Sequence, residues 1–62
     1  MTLSDSEVQT VEMLRGGKTP QQIAEVMGVK IRTVRQRIRD SRLKLGAKTT
    51  AQLVAMWDST RK

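Results

Sequence analysis

The sequence predicts an all-α fold of four short helices, and three observations carry that expectation. Ser or Thr is followed three residues later by Glu or Gln at Ser4 and Glu7, Thr19 and Gln22, and Thr49 and Gln52, the spacing of a reciprocal N-terminal cap. Glycines stand where the resulting runs should stop, at Gly16-Gly17, Gly28 and Gly46, the residue type that most readily takes the left-handed conformation of a helix end. Between these signals the apolar residues recur at intervals of three and four, which is one buried face of a helix.

Element by element, the first helix is expected over about residues 5–15, with Val8, Val11 and Leu14 on its inner face and Leu3 as a staple ahead of the cap. The second, over about 20–27, has the best-marked start: Thr19 as cap and Pro20 at the first helical position, where a missing N–H costs nothing. Ile23, Ala24 and Met27 give it a short apolar face, and Val29 plugs the turn that follows. The third, over about 31–45, is the longest. A tight Gly-containing turn between a short helix and a longer basic one is the helix-turn-helix pattern. The fourth, over about 50–58, presents Leu53, Val54 and Trp57, and Ser59-Thr60-Arg61-Lys62 is expected to fray. Met13 and Met56 read as filler. No repeat or linker interrupts the sequence, so residues 1–62 read as a single domain.

Charge is concentrated in the third helix. Residues 30–48 carry Lys30, Arg32, Arg35, Arg37, Arg39, Arg42, Lys44 and Lys48 against Asp40 alone, a local balance of plus seven. Residues 1–29 carry Arg15 and Lys18 against Asp5, Glu7, Glu12 and Glu25, a balance of minus two. Such a block attracts a polyanion at long range. On a wheel of ~100° per residue, Val34, Ile38, Ser41 and Leu45 cluster on one side, while Arg32, Arg35, Gln36, Arg39 and Arg42 fall together roughly 130° away. A solvated helix would scatter its charges and mix their signs. This one has a contiguous basic stripe opposite a core stripe, with Asp40 and Lys44 on the flank.

Composition excludes much else. There is no His, Cys or Tyr to act as general base, thiol nucleophile or phenolic acid, and 62 residues leave no room for a substrate cleft. An enzyme is not expected, nor a zinc site, a cofactor or a disulfide. No run of ~18 apolar residues suggests a membrane span, and the early Asp5 and Glu7 interrupt any leader. The expected setting is cytoplasmic, without a membrane partner. Recognition of RNA or single strands ranks low, because it relies on aromatic stacking platforms and the chain has neither Phe nor Tyr.

With Leu3-Ser4, Glu7, Ile23-Ala24-Glu25, Gly28-Val29, Thr33-Val34-Arg35 and Lys44-Leu45-Gly46 at their mutual spacings, the chain resembles the LuxR/GerE-type helix-turn-helix DNA-binding domain from about Leu3 to Trp57. Region four of sigma factors shares the middle of the pattern, and Arg37, Ile38 and Arg42 look more like that relative. Leu45-Gly46-Ala47 followed by a helix carrying Ala51-Gln52-Leu53-Val54 favours the LuxR type. Lys30 stands where that family usually has Ser, Arg37 where it often has His, and Asp40-Ser41 where it often has Asn-Ile.

The resemblance implies a four-helix domain that binds double-stranded DNA as a transcription regulator. On the family pattern, the base-reading positions fall on Arg35, Gln36 and Arg39, which are also the middle of the wheel stripe. Arg can fork onto guanine O6 and N7, and Gln can pair with adenine N6 and N7. Thr19 and Gln21, at a helix start, are candidates for phosphate, although capping alone would account for Thr19. Lys30, Arg32, Thr33, Arg37 and Arg42 are expected on phosphates, Lys44 in solvent, and Lys18 is unassigned. Trp57 either caps the small core or joins Leu53 and Val54 in the two-fold contact that the family's last helix commonly forms, with Leu43 as a further exposed apolar candidate there. A homodimer is expected. The alternative is a protein-interaction module that binds RNA polymerase or another regulator through the fourth helix, motivated by the absence of the receiver or ligand-binding domain that family members usually carry.

Overall fold

The computed structural model describes residues 3–60. Its elements are α1 (Asp5–Arg15), α2 (Pro20–Met27), α3 (Ile31–Leu45) and α4 (Thr50–Thr60), and no strand occurs among the described residues. The fold is all-α, and none of these helices is long and apolar enough to cross a membrane.

Each helix start is built by the side chains that mark it. At α1 the Glu7 amide donates to Ser4 Oγ at 3.3 Å while the Ser4 amide donates to Glu7 Oε1 at 2.8 Å. At α2 Thr19 and Gln22 make the same exchange at 3.2 and 2.9 Å. Two otherwise orphaned donors are satisfied in each case. At α4 the Gln52 amide donates to Thr49 Oγ1, but the Gln52 carboxamide reaches one residue further back, to the Lys48 amide at 2.8 Å. Helix α3 starts at Lys30 with no side-chain cap.

The ends of α2 and α3 need glycine. Gly28 at φ 68° and Gly46 at φ 75° lie in the left-handed region, and the chain beyond them folds back: the Val29 amide donates to Ala24 O and the Ala47 amide to Arg42 O. A Cβ there costs roughly 1–2 kcal/mol. These two turns set how α2 meets α3 and how α3 meets α4.

The core consists of Leu3, Val11, Ile23, Ala24, Val34, Ile38, Ala47 and Leu53, all buried, with Val8, Leu14, Met27, Val29, Ile31, Leu45, Met13, Met56 and Trp57 packed around it. Helix α3 touches all three other helices, whereas α2 and α4 do not pack on each other. Val34 and Ser41 are fully buried and Ile38 nearly so, so the inner stripe of α3 is seated as its periodicity implied. The Ser41 hydroxyl is satisfied by the Arg37 carbonyl at 2.7 Å, and Thr10, equally buried, by the Ser6 carbonyl at 2.8 Å. Burial of these hydroxyls is therefore compensated.

Further features differ from the sequence expectations. Lys44 is not a solvated side chain: its Nζ lies 2.6 Å from Oε1 of Glu7, a carboxylate only 5% exposed. Helix α4 does not end near Asp58 but continues to Thr60, whose hydroxyl donates to the Trp57 carbonyl at 2.7 Å. Asp58 is itself held by Arg15 Nε of α1 at 2.8 Å, which braces the final turn; Arg61 and Lys62 lie outside the described residues. Leu53, expected in a dimer contact, is fully enclosed in the core of its own chain, because it is the α4 side chain that faces inward.

Candidate nucleic-acid interface

Arg32, Arg35, Gln36 and Arg39 are all exposed on the outer side of α3, opposite the seated Val34, Ile38 and Ser41. The fixed inner stripe determines this, since rotation of a helix about its axis is set by the side it buries. Among the described residues no carboxylate pairs with Arg32, Arg35, Arg37, Arg39 or Arg42; the ion pairs there join Arg15 to Glu12 and Asp58, and Lys44 to Glu7. Glu7 and Glu12 of α1 are thus turned toward Lys44, Arg15 and Trp57, and among the described residues no ion pair from another element neutralises the arginines on the open face of α3. Guanidinium groups so placed present forked donors to an incoming anion.

Gln36 is partly engaged. Its Nε2 donates to Asp40 Oδ1 over 3.4 Å, one helical turn on, which orients the carboxamide while its oxygen and second N–H stay available. Asp40 read as a flanking residue from the sequence; the signal for its role was the four-residue spacing to Gln36.

The remaining basic residues divide by environment. Arg37 is half-buried on the α2 side of α3, with a terminal nitrogen 3.9 Å from Met27 Sδ, and so sits apart from the exposed stripe. Arg42 is half-buried too; its Nε is enclosed and has no hydrogen-bond partner among the described residues, so the body of the domain grips its stem. Lys30 is exposed at the uncapped start of α3, and Thr33 is half-buried on the flank.

At the start of α2, Thr19 and Gln21 are exposed. The capping exchange already satisfies the Thr19 and Gln22 amides, and Pro20 has none, which leaves the Gln21 amide as the open backbone donor of that terminus. The Thr19 hydroxyl accepts from Gln22, and its own proton is free to be donated. Capping and anion contact are therefore compatible at Thr19.

On α4, Val54 and Trp57 are half-buried. The Trp57 indole N–H donates to Glu12 Oε2 at 2.8 Å, fastening α4 to α1. Trp57 thus belongs to the α1–α4 seam, whatever its outer edge touches. Ala51 and Ala55 are exposed, and on a wheel of ~100° per residue they lie with Val54 away from the buried Leu53.

Comparison with known proteins bears on this geometry. No curated protein and no solved structure matches the chain. The family model described as bacterial regulatory proteins, luxR family (GerE), matches residues 1–57. With that match spanning all but the last few residues, and with a helix-turn-helix that leaves a basic stripe open, the chain belongs to the luxR family of bacterial regulatory proteins, a family of DNA-binding regulators.

Proposed function

We propose that this domain is a sequence-specific, double-stranded DNA-binding transcription regulator in which α3 lies in the major groove, and that two copies join through α4. Arg35, Gln36 and Arg39 read base edges. Thr19, Gln21, Lys30, Arg32, Thr33, Arg37 and Arg42 hold phosphates on either side and fix the register without reading sequence. The observation that carries this reading is the exposed, unpaired stripe of Arg32, Arg35 and Arg39 on a helix whose opposite side is locked into the core.

Two half-sites would compensate for the small number of base contacts that one short helix can make. The contact is placed on Val54 and the outer edge of Trp57, with Ala51 and Ala55 allowing close approach of a second α4. Leu53 supports this surface from within.

Binding titrations of the intact chain on duplexes, repeated across salt concentrations, test the reading. A protein that engages 6–10 phosphates loses roughly 10³- to 10⁵-fold in affinity between 50 and 200 mM salt. Affinity indifferent to salt, or equal for every duplex sequence, refutes it.

A further inference from the structure

Among the described residues two large apolar side chains are widely exposed, Val26 at 61% and Leu43 at 68%. Isolated exposed apolar residues are ordinary on protein surfaces. Leu43 differs through its neighbours. On a wheel of ~100° per residue it falls within about 40° of Arg32, Gln36 and Arg39, so it continues the same outward line one turn beyond Arg39. An apolar side chain in that place interrupts an otherwise charged and polar surface, with the stem of Arg39 beside it.

We infer that Leu43 is a further specificity-determining residue, making apolar contact with the C5-methyl group of a thymine in the major groove. The inference rests on α3 lying in that groove. The methyl is the one apolar group that a base pair presents there, and apolar side chains are its natural partners. Leu43 lies about 6 Å further along the helix axis than Arg39, at 1.5 Å per residue. With bases spaced about 3.4 Å along each strand, its thymine falls roughly two steps from the base that Arg39 reads. Leu is shorter than Arg, so the contact requires α3 to lie along the groove and keep its C-terminal half near the floor. The position of the methyl therefore reports the tilt of the helix as well as the preference for thymine.

The test replaces thymine by deoxyuridine, which removes the methyl and leaves pairing intact. Duplexes bound by the intact chain are first selected from a random pool, and each thymine of the selected site is then replaced in turn. One replacement, roughly two steps from the base whose identity ceases to matter in Arg39→Ala, is expected to weaken the native protein about four-fold, the effect of losing one buried methyl. In Leu43→Ala that penalty should shrink toward nothing, while Arg35→Ala should retain it. A penalty of equal size in the native protein and Leu43→Ala overturns the inference, as does a site indifferent to every replacement. Loss of self-association in Leu43→Ala, read from its mass in solution, also overturns it by placing Leu43 in a protein contact. If the pool yields no preferred sequence, base reading itself fails. If a sequence is selected and depends on Arg39 but not on any methyl, only the role of Leu43 falls.

Discussion

Lys44, in the last turn of α3, and Glu7, in the first turn of α1, form an ion pair of 2.6 Å that links the end of the basic helix to the start of the chain's first helix. Glu7 is buried, accepts from the Ser4 amide as well, and so does two jobs with one carboxylate. The hydrogen bond from Lys44, then that from the Ser4 backbone, hold its carboxyl below the ordinary value of 4.5. A carboxyl whose folded value is depressed contributes stability above the unfolded value and loses it as pH falls through the folded value. Stability should therefore decline as pH drops from about 5 through the region below 4.5. Glu7→Gln is expected to flatten this part of the profile, and Glu7→Ala to cost about 1–3 kcal/mol near neutrality by removing the acceptor shared by the Ser4 amide and Lys44. Denaturant unfolding followed by circular dichroism over the pH series checks both; an unchanged acid limb in Glu7→Gln refutes the assignment.

Trp57 and Glu12 form the corresponding tie between α4 and α1. Replacing Trp57 with Phe keeps a ring in the seam but removes the N–H, at a cost of roughly 0.5–1.5 kcal/mol for the bond. In a domain of this size each 1 kcal/mol moves the melting temperature by about 4–8 °C. Asp58→Asn acts on the same seam through the exposed Arg15 pair, which water screens. Thermal melts should show the larger loss for Trp57→Phe and little change for Asp58→Asn. The reverse order would mean that the exposed pair, not the indole, holds the seam.

Local chemistry explains why so much of the fold could be read directly. Ser4 with Glu7 and Thr19 with Gln22 satisfy amides within one turn, and Gly28 and Gly46 act through their own φ angles, so nearest neighbours suffice. The inner stripe of α3 is likewise a property of one helix. The features that were not legible join distant parts of the chain. Lys44 and Glu7 are 37 residues apart, and Trp57 and Glu12 are 45 apart; periodicity within one helix carries no information about which other helix lies across from it. The same limit blurred α4: Leu53, Val54 and Trp57 are all apolar, and only the position of α1 and α3 decides that Leu53 is enclosed while Val54 keeps an open side. On α3 the exposed Arg32, Arg35, Gln36 and Arg39 followed from the wheel, whereas Arg42 of the same stripe is half-buried and the lodging of Arg37 against Met27 depended on α2.

The proposed division of α3 and its flank into readers and holders makes opposite forecasts for two substitutions. Arg39→Ala should cost about 1–3 kcal/mol on the preferred duplex and relax the preference at one position. Lys30→Ala should weaken all duplexes alike and lower the slope of log affinity against log salt by about one. Neither change removes an ion pair, since Arg39 and Lys30 are exposed and unpaired among the described residues. Competition titrations against preferred and scrambled duplexes at several salt concentrations separate the two effects. Uniform weakening by Arg39→Ala would move it from the readers to the holders.

In the proposed dimer, α4 gives stability and association to two adjacent residues. Leu53 is fully buried, so Leu53→Ala removes core volume and should cost about 2–5 kcal/mol. For a domain whose total stability is roughly 3–9 kcal/mol at its length, that is enough to unfold much of the population. Val54 is half-buried and faces outward with Ala51 and Ala55. Val54→Glu should leave the melting temperature within a few degrees of the native chain, yet place like charges against each other across a two-fold contact. Sedimentation of the free protein, and binding to duplexes carrying one or two half-sites, reads the outcome. A folded Val54→Glu that has lost its dimer mass and its advantage on two half-sites supports association through α4. Native mass and native two-site affinity in that variant would place the contact elsewhere on the domain.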